Sequence, residues 1–355
     1  MMYKFLLVED RKEDAEACLE TIIRMNFQDP EKKIQVEVSD TLEKALVEIK
    51  NEYHGVIVDI NLDGENSGND LIRTIIQEYR IPVAIMTGTP DTCLDKDSPI
   101  NIFKKGESSY EEIINSLIKS HSTGLFNVIG GKGLIEKVMN QIFWSNLYPQ
   151  IHIWELELAK GVDTEKVLLR YAIAHIQELI DNEVPTYVTE EMYIKQSTMG
   201  KIRTGSILKS KLEDSFSIVL SPPCDLVVHD GKIKTNRILL CEIDANDLIN
   251  SQVIQGVTRT DKKQKRIIDA LNNNYTGYYH WLPNNSLFEG GYINFRKVLS
   301  CSPDDLDEKY EKPDVKVQEY FVKSILGRFS SYYARQGQPD FKYDEEATLI
   351  VGRLQ

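Results

Sequence analysis

Across the first 120 residues, short apolar runs alternate with segments whose apolar positions recur at helical spacing. "YKFLLVE" and "HGVIVDI" are apolar on both phases of a strand, so both of their faces must be covered. Between them, Ala15, Cys18, Leu19, Ile22 and Ile23 form one helical stripe. "IQVEVS", "IPVAIMTG" and "INIFKK" read as further strands. "TLEKALVEIKNE", "NDLIRTIIQEY" and "SSYEEIINSLIKS" read as helices, with Thr41 placed to cap the first and a serine the last. Strands separated by helices cannot form hairpins. They pair in parallel, with helices on both sides. The expected fold class is α/β, a doubly wound five-stranded parallel sheet over residues 1–120.

In such a sheet the functional crevice lies at the carboxyl ends of the strands. The first strand runs into Glu9-Asp10, the third into Asp59, the fourth into Thr87-Gly88 and the fifth into Lys104-Lys105. Taken singly, these are a solvated strand end, a turn cap, an ordinary turn and a solvated lysine pair. Taken together, they bring three acids, a hydroxyl and a base to one rim. Clustered carboxylates repel unless a cation sits among them, and an all-oxygen donor set suits Mg²⁺. Such an ion, held by Asp10 and Asp59 with Glu9 close by, leaves Asp59 an oxygen free to attack phosphorus. Lys104 would meet the phosphoryl oxygens as a point charge, and the Thr87 hydroxyl could donate to another.

Carried by "LLVED", "VIVDINL", "AIMTG" and "FKKG" in that order, residues 1–120 resemble the receiver domain of two-component response regulators. The resemblance implies that Asp59 is the phosphoacceptor and that Glu9 and Asp10 bind Mg²⁺. It implies that the backbone carbonyl of Asn61 completes the metal set, that Thr87 is the switch hydroxyl, and that Lys104 is the phosphate-pairing lysine. A sensor histidine kinase or phosphotransfer protein is the implied partner. Several positions depart from the family pattern. Lys105 stands where a proline usually follows the lysine, and Asn101 stands at a position usually aromatic. Thr87 and Lys104 are separated by a short interval. "TPDTCLDKDSP" reads as a degenerate fourth helix, and the loop "INLDGENSGNDL" is one residue longer than the family pattern. A pseudo-receiver, with the fold kept and phosphorylation lost, is the alternative.

The 355-residue chain is too long for one small core. "STGLFNVIGGKG" reads as a linker, residues 121–184 as a helical subdomain, and residues 185–355 as a β-rich α+β output domain, in part barrel-like. "GSILKSKLEDSFSIVLSPPCDLVV" is faintly similar to small SH3-like barrels of toxin and RNA-cleaving families, which licenses no catalytic assignment. Ser221, Cys224, Asp225 and His229 form the one compact reactive cluster. A nucleophile with its base is one reading of it; a tight proline turn with a small buried cysteine is the other, and is preferred. His175 reads as a packed residue on an apolar helical stretch.

Residues 1–120 carry 14 Lys+Arg against 24 Asp+Glu, a net −10, and the remainder 28 against 31, a net −3. This acidic balance weighs against a duplex-DNA grip. The basic run Arg259, Lys262, Lys263, Lys265 and Arg266, beside the aromatic group Tyr275, Tyr278, Tyr279, His280, Trp281 and Phe288, keeps nucleic acid as a second reading. The first is a solvated helix face and a β core. No apolar run approaches the ~20 residues a membrane span needs. The five cysteines contain no CxxC pair, which fits a reducing cytosol. The expectation is a cytoplasmic response regulator whose output domain meets a protein partner. A receiver-gated enzyme such as a nuclease and a structural scaffold are the alternatives.

Overall fold

The computed structural model describes residues 2–50, 52–62, 67–90, 100–131, 133–181, 186–196, 201–229, 231–335 and 340–354. The chain divides into two compact units, Met1–Glu183 and Val184–Gln355.

In the first unit the strands β1 (Met2–Val8), β2 (Lys33–Ser39), β3 (Gly55–Val58), β4 (Val83–Thr87) and β5 (Asn101–Lys104) pair in the order β2-β1-β3-β4-β5. Every pairing is parallel, as the covered apolar strands require. The chain returns through α1 (Lys12–Gln28), α2 (Leu42–Glu48), α3 (Gly68–Glu78) and, after β5, α4 (Tyr110–Ser122). Two cores result, one on each face. Phe5, Leu7 and Ile57 meet Cys18, Ile22, Ile113 and Ile114 of α1 and α4. Leu6, Val8, Val56 and Val58 meet Ala45, Leu71 and Ile75 of α2 and α3. Burying a strand side chain of this size contributes roughly 1.5–3 kcal/mol. The expected caps form. Thr41 Oγ1 accepts from the Lys44 amide at 3.3 Å, and Ser109 makes a reciprocal capping box with Glu112. The expected fourth helix falls largely on residues 91–99, and part of the loop after Asp59 on residues 63–66; both lie outside the described residues.

Four α-helices follow among the described residues: α5 (Leu125–Ile129), α6 (Leu134–Ile142), α7 (Ile151–Ala159) and α8 (Thr164–Asp181). Asp163 Oδ1 accepts from the Lys166 amide at 3.3 Å, which caps α8.

The second unit is β-rich and antiparallel. Strands β6 (Tyr193–Lys195), β7 (Ile207–Lys209), β8 (Phe216–Val219), β9 (Val228–His229), β10 (Lys232–Ile233), β11 (Ile238–Asp244), β12 (Tyr279–Leu282), β13 (Gly291–Cys301) and β14 (Val315–Val317) form three sheets. The largest runs β12-β13-β11-β8-β7. Between β11 and β13 the register slips across Cys241 and Ile243, a bulge that throws Asn294 to Lys297 out of step. Helices α9 (Asn246–Ile254), α10 (Thr260–Leu271), α11 (Pro303–Lys309), α12 (Glu319–Tyr333) and α13 (Tyr343–Leu354) complete the unit. Val322 and Ile325 of α12 close the main core over Ile218, Cys241 and Phe295.

Candidate functional site

β1 and β3 deliver their terminal acids side by side because they are neighbours in register, Val8 opposite Val58. The Asp59 amide donates to the Val8 carbonyl at 3.0 Å, and the Glu9 amide to Ser39 at 3.0 Å. Glu9 and Asp59 are almost wholly buried. Glu9, Asp10 and Asp59 each offer an oxygen within 4.8 Å of the others. Three acids of this kind fit a small hard cation.

The lysine that enters this pocket is Lys105. Its Nζ lies 2.7 Å from Asp59 Oδ2, 2.6 Å from Glu9 Oε2 and 2.8 Å from Asp14 Oδ2. The sequence reading expected Lys104 there, whereas the structure sets the Lys105 ammonium among these acids. Lys104 pairs in register with Thr87, and its half-exposed ammonium bonds Glu107 at 2.5 Å. Side chains alternate along a strand, so adjacent lysines take opposite sides. Phe103 packs against the core shared with α1, and Lys105, two residues on, follows it towards Asp14. One signal was available: the phase set by Phe103. The residue after Lys105 is Gly106, at φ +85°, a conformation that favours glycine.

The other expected residues converge as follows. The Asn61 amide donates to Asp59 Oδ1 at 3.2 Å, and its side-chain amide reaches Thr89 Oγ1 at 3.3 Å. Thr87 is fully buried, and its Oγ1 accepts from the Thr89 amide at 3.3 Å. The Asp59 carboxylate is thus held at both oxygens, by Asn61 on one and Lys105 on the other. Gly68 is needed behind it, since a Cβ there would stand 2.1 Å from the Asp59 carbonyl oxygen.

The electrostatics follow from burial and pairing. Burial raises the Glu9 carboxyl above its ordinary value, with Lys105 opposing. Burial works against the Lys105 charge, but its bonds to Asp14, Asp59 and Glu9 together outweigh it and raise its pKa. Three carboxylates, Glu9, Asp14 and Asp59, bond this ammonium, Asp14 also lies 3.6 Å from the Arg11 guanidinium, and Asp10 adds a fourth acid beside Glu9 and Asp59. The excess negative charge leaves a favourable place for a divalent ion.

The candidates in the second unit do not assemble into a reactive site. Cys224 is exposed, with Sγ 3.8 Å from Asp225 Oδ1. Ser221 Oγ accepts from the Leu239 amide at 2.8 Å, a structural use. His229 pairs with Lys232 in the β9–β10 hairpin. No hydrogen bond joins His229 to Cys224 or Asp225 among the described residues. A cavity of about 750 Å³ opens beside them, lined by Lys201, Ile202, Leu226, Ile233 and Asp307 and by none of the Cys224 cluster. His175 stacks edge-on against Tyr171 at 4.8 Å, as a packed residue would. Arg259 is spent on Asp261 at 2.8 Å, and α10 packs on α9 through Ala270. The sequence reading missed the network around Asp244, which accepts from Lys297 at 2.7 Å and Asn294 at 2.8 Å. It pins the β13 bulge.

No family model matches the chain, and no curated protein matches it. Its front third is similar to solved receiver domains of response regulators. The Francisella response regulator 1452 receiver domain is 20% identical, over 34% of this chain and 98% of that one, with a TM-score of 0.29. DrrB of Thermotoga maritima, an OmpR/PhoB homologue, is 18% identical over 35% of this chain and 54% of that one, at 0.27. A receiver domain protein from Methanospirillum hungatei is 18% identical over 35% of this chain and 100% of that one, at 0.26.

Proposed function

We propose that the first unit is a phosphorylatable receiver whose acceptor is Asp59, acting with Mg²⁺ and with Lys105 in the role expected of Lys104. The reading rests on one observation: Asp59 shares a buried pocket with Glu9 and Asp10 while Lys105 touches one of its oxygens. Glu9, Asp10, Asp59 and the Asn61 carbonyl would hold the ion, which when bound offsets the charge of an incoming phosphoryl group. The Asn61 amide fixes Oδ1, so Oδ2 is the attacking oxygen. An O–P bond forms there as the bond to the donor's imidazole or acyl oxygen breaks, and the donor leaves with the electron pair. Lys105 then shifts from carboxylates to phosphoryl oxygens, and the Thr87 hydroxyl, whose oxygen accepts from the Thr89 amide, donates its proton to another. The acylphosphate biases one of two packings of this unit, and the second unit conveys the change to a protein partner. The donor is a histidine kinase, a phosphotransfer protein or a small acyl phosphate.

Incubation with acetyl phosphate and Mg²⁺, followed by mass spectrometry, tests the reading. A phosphoryl adduct on Asp59 is expected, lost on chelation and in Asp59→Asn. No adduct from acetyl phosphate or from any histidine phosphodonor would favour a scaffold, in which Lys105 neutralises the acids permanently.

A further inference from the structure

The helices α6, α7 and α8 bury almost nothing of their own. Among the described residues from Leu134 to Leu179, the buried apolar side chains are Ile142 and Ala172. Neither belongs to a core of the chain. Eleven large apolar side chains of the same stretch are exposed. α7 is the extreme case. Ile151, Ile153, Leu156 and Leu158 point to different sides of its axis, and all four are exposed. This helix meets α8 through Trp154, whose ring stands edge-on to Tyr171 at 5.5 Å. A helix that is apolar all round its axis belongs in an interior.

Between α6 and α7 the chain makes a wide π-helical turn, Phe143–Leu147, and then a 3₁₀ turn, Tyr148–Gln150. π-helical turns recur at functional sites. This one groups three rings. Phe143 and Trp144 stand edge-on at 5.0 Å, Trp144 lies 5.3 Å from Tyr148, and Phe143 lies 5.5 Å from Tyr148. All three rings are exposed, Trp144 to 64%. Rings that already hold one another lose little freedom when a partner covers them, and Trp and Tyr are the residues that most often anchor interfaces.

At ~150–250 Å² for a whole aromatic side chain and somewhat less for Leu or Ile, the exposed fractions of these eleven side chains leave roughly 1,000 Å² of apolar surface in water. The largest apolar patch of a monomer is about 300–600 Å², and each partner of a stable interface contributes about 800 Å². We infer that α6–α8 form a two-fold interface between two copies of this chain, anchored on Phe143, Trp144 and Tyr148. Charge selects the second copy as the occupant. The chain carries a net −13, so two copies repel wherever their charged surfaces meet. The stretch from Val138 to Trp154 holds no Asp, Glu, Lys or Arg. Ions beyond it close within one copy, Lys160 on Glu157 at 2.6 Å and Lys166 on Asp163 at 2.8 Å. Such a surface offers a charged partner nothing to pair with, and it meets its own copy without repulsion. A two-fold axis lets the same patch serve both sides of the contact. The contact does not depend on the chemistry at Asp59.

Sedimentation equilibrium of the full, unphosphorylated chain tests the inference. A reversible dimer is expected at micromolar concentration. Trp144→Asp and Leu158→Asp each place a charge at an exposed position, so the fold should survive, as circular dichroism would show, and each should weaken the dimer at least tenfold. Leu212→Asp, at a position 76% exposed in the second unit, should leave the dimer unchanged. Acrylamide quenching of Trp144, taken as the difference between the parent and Trp144→Phe, should rise as the dimer is diluted apart. A chain that stays monomeric up to about 100 µM would overturn the inference, as would a dimer that both charged variants leave intact. In a monomer, a Trp144 shielded from the quencher would assign the cover to another part of the same chain, and an open Trp144 would assign it to a foreign partner; either result removes the second copy.

Discussion

The Lys105 ammonium stands 2.7 Å from Asp59 Oδ2, whereas its neighbour Lys104 bonds Glu107 on the strand's other side. The two lysines should therefore separate sharply in mutagenesis. Lys105→Met leaves buried acids uncompensated, which costs on the order of 3–5 kcal/mol. Mg²⁺ should restore much of that loss, so the added ion should raise the melting temperature of Lys105→Met more than that of the parent. Phosphoryl uptake at Asp59 should slow by tenfold or more in Lys105→Met. Lys104→Met should change stability by less than ~0.5 kcal/mol and leave uptake near normal. Thermal melts with and without Mg²⁺, and acetyl phosphate labelling, distinguish the two.

Asp14 is the acid that has to let go. It holds Lys105 at 2.8 Å, and under the proposed phosphorylation of Asp59 that ammonium would be needed on the phosphoryl oxygens. Asp14→Asn keeps the shape but weakens the hold by the difference between an ionic and a neutral acceptor, roughly 1 kcal/mol. The expected result is a several-fold higher steady-state phosphorylated fraction, with Mg²⁺ affinity little changed. Intact-mass measurement during labelling gives the fraction directly. A fraction lower than in the parent would show that Asp14 serves the metal rather than the resting lysine.

The parallel sheet was legible because fully apolar strands such as Val56–Val58 have only one environment to occupy. Strand-end acids were legible for a related reason: a buried sheet must release its polar residues at its rim. The choice between Lys104 and Lys105 turned on a one-residue phase, and phase inverts with a single-residue error. Asp14 was hidden because an acid in the first turn of a helix already has a sufficient reason to be there. The second unit was less legible. Its strands are as short as two residues, and its large sheet is assembled from distant segments such as β8 and β13, so no local period reveals the pairing. The Asp244 network depends on the β13 bulge, and bulges leave no periodic mark.

The described cysteines should differ in reactivity by position alone. Cys224 is exposed, whereas Cys18 and Cys241 are fully buried. Burial pushes the thiols of Cys18 and Cys241 up to about 12, which leaves almost no thiolate at neutral pH. Brief alkylation of the native chain should modify Cys224 and spare Cys18 and Cys241 until denaturant is added. Cys224→Ser should be neutral to stability within ~0.5 kcal/mol. Peptide mass mapping reads both states. Rapid native labelling of Cys241 would contradict the core closed over it by α12.

His280 makes the second unit acid-sensitive. Its ring is 5% exposed within β12, its Nδ1 has no hydrogen-bond partner, and Arg328 adds a repulsive charge. Burial, with that charge, lowers its pKa from 6.5 to about 3. The sign follows from where the proton binds. Above the unfolded value both states carry a neutral ring, and the group contributes no pH dependence. As pH falls through 6.5, the unfolded chain takes up a proton that the folded unit refuses. Stability then declines by up to about 1.4 kcal/mol per pH unit until the folded value is reached. The denaturant midpoint of the second unit should accordingly drop between about pH 6.5 and pH 4.5, while His280→Leu, similar in bulk and uncharged, should flatten that slope. Denaturation followed at several pH values in both chains measures the difference. An equal slope in the variant would mean that carboxylate pairs such as Asp244–Lys297, rather than the imidazole, set the acid limit of this unit.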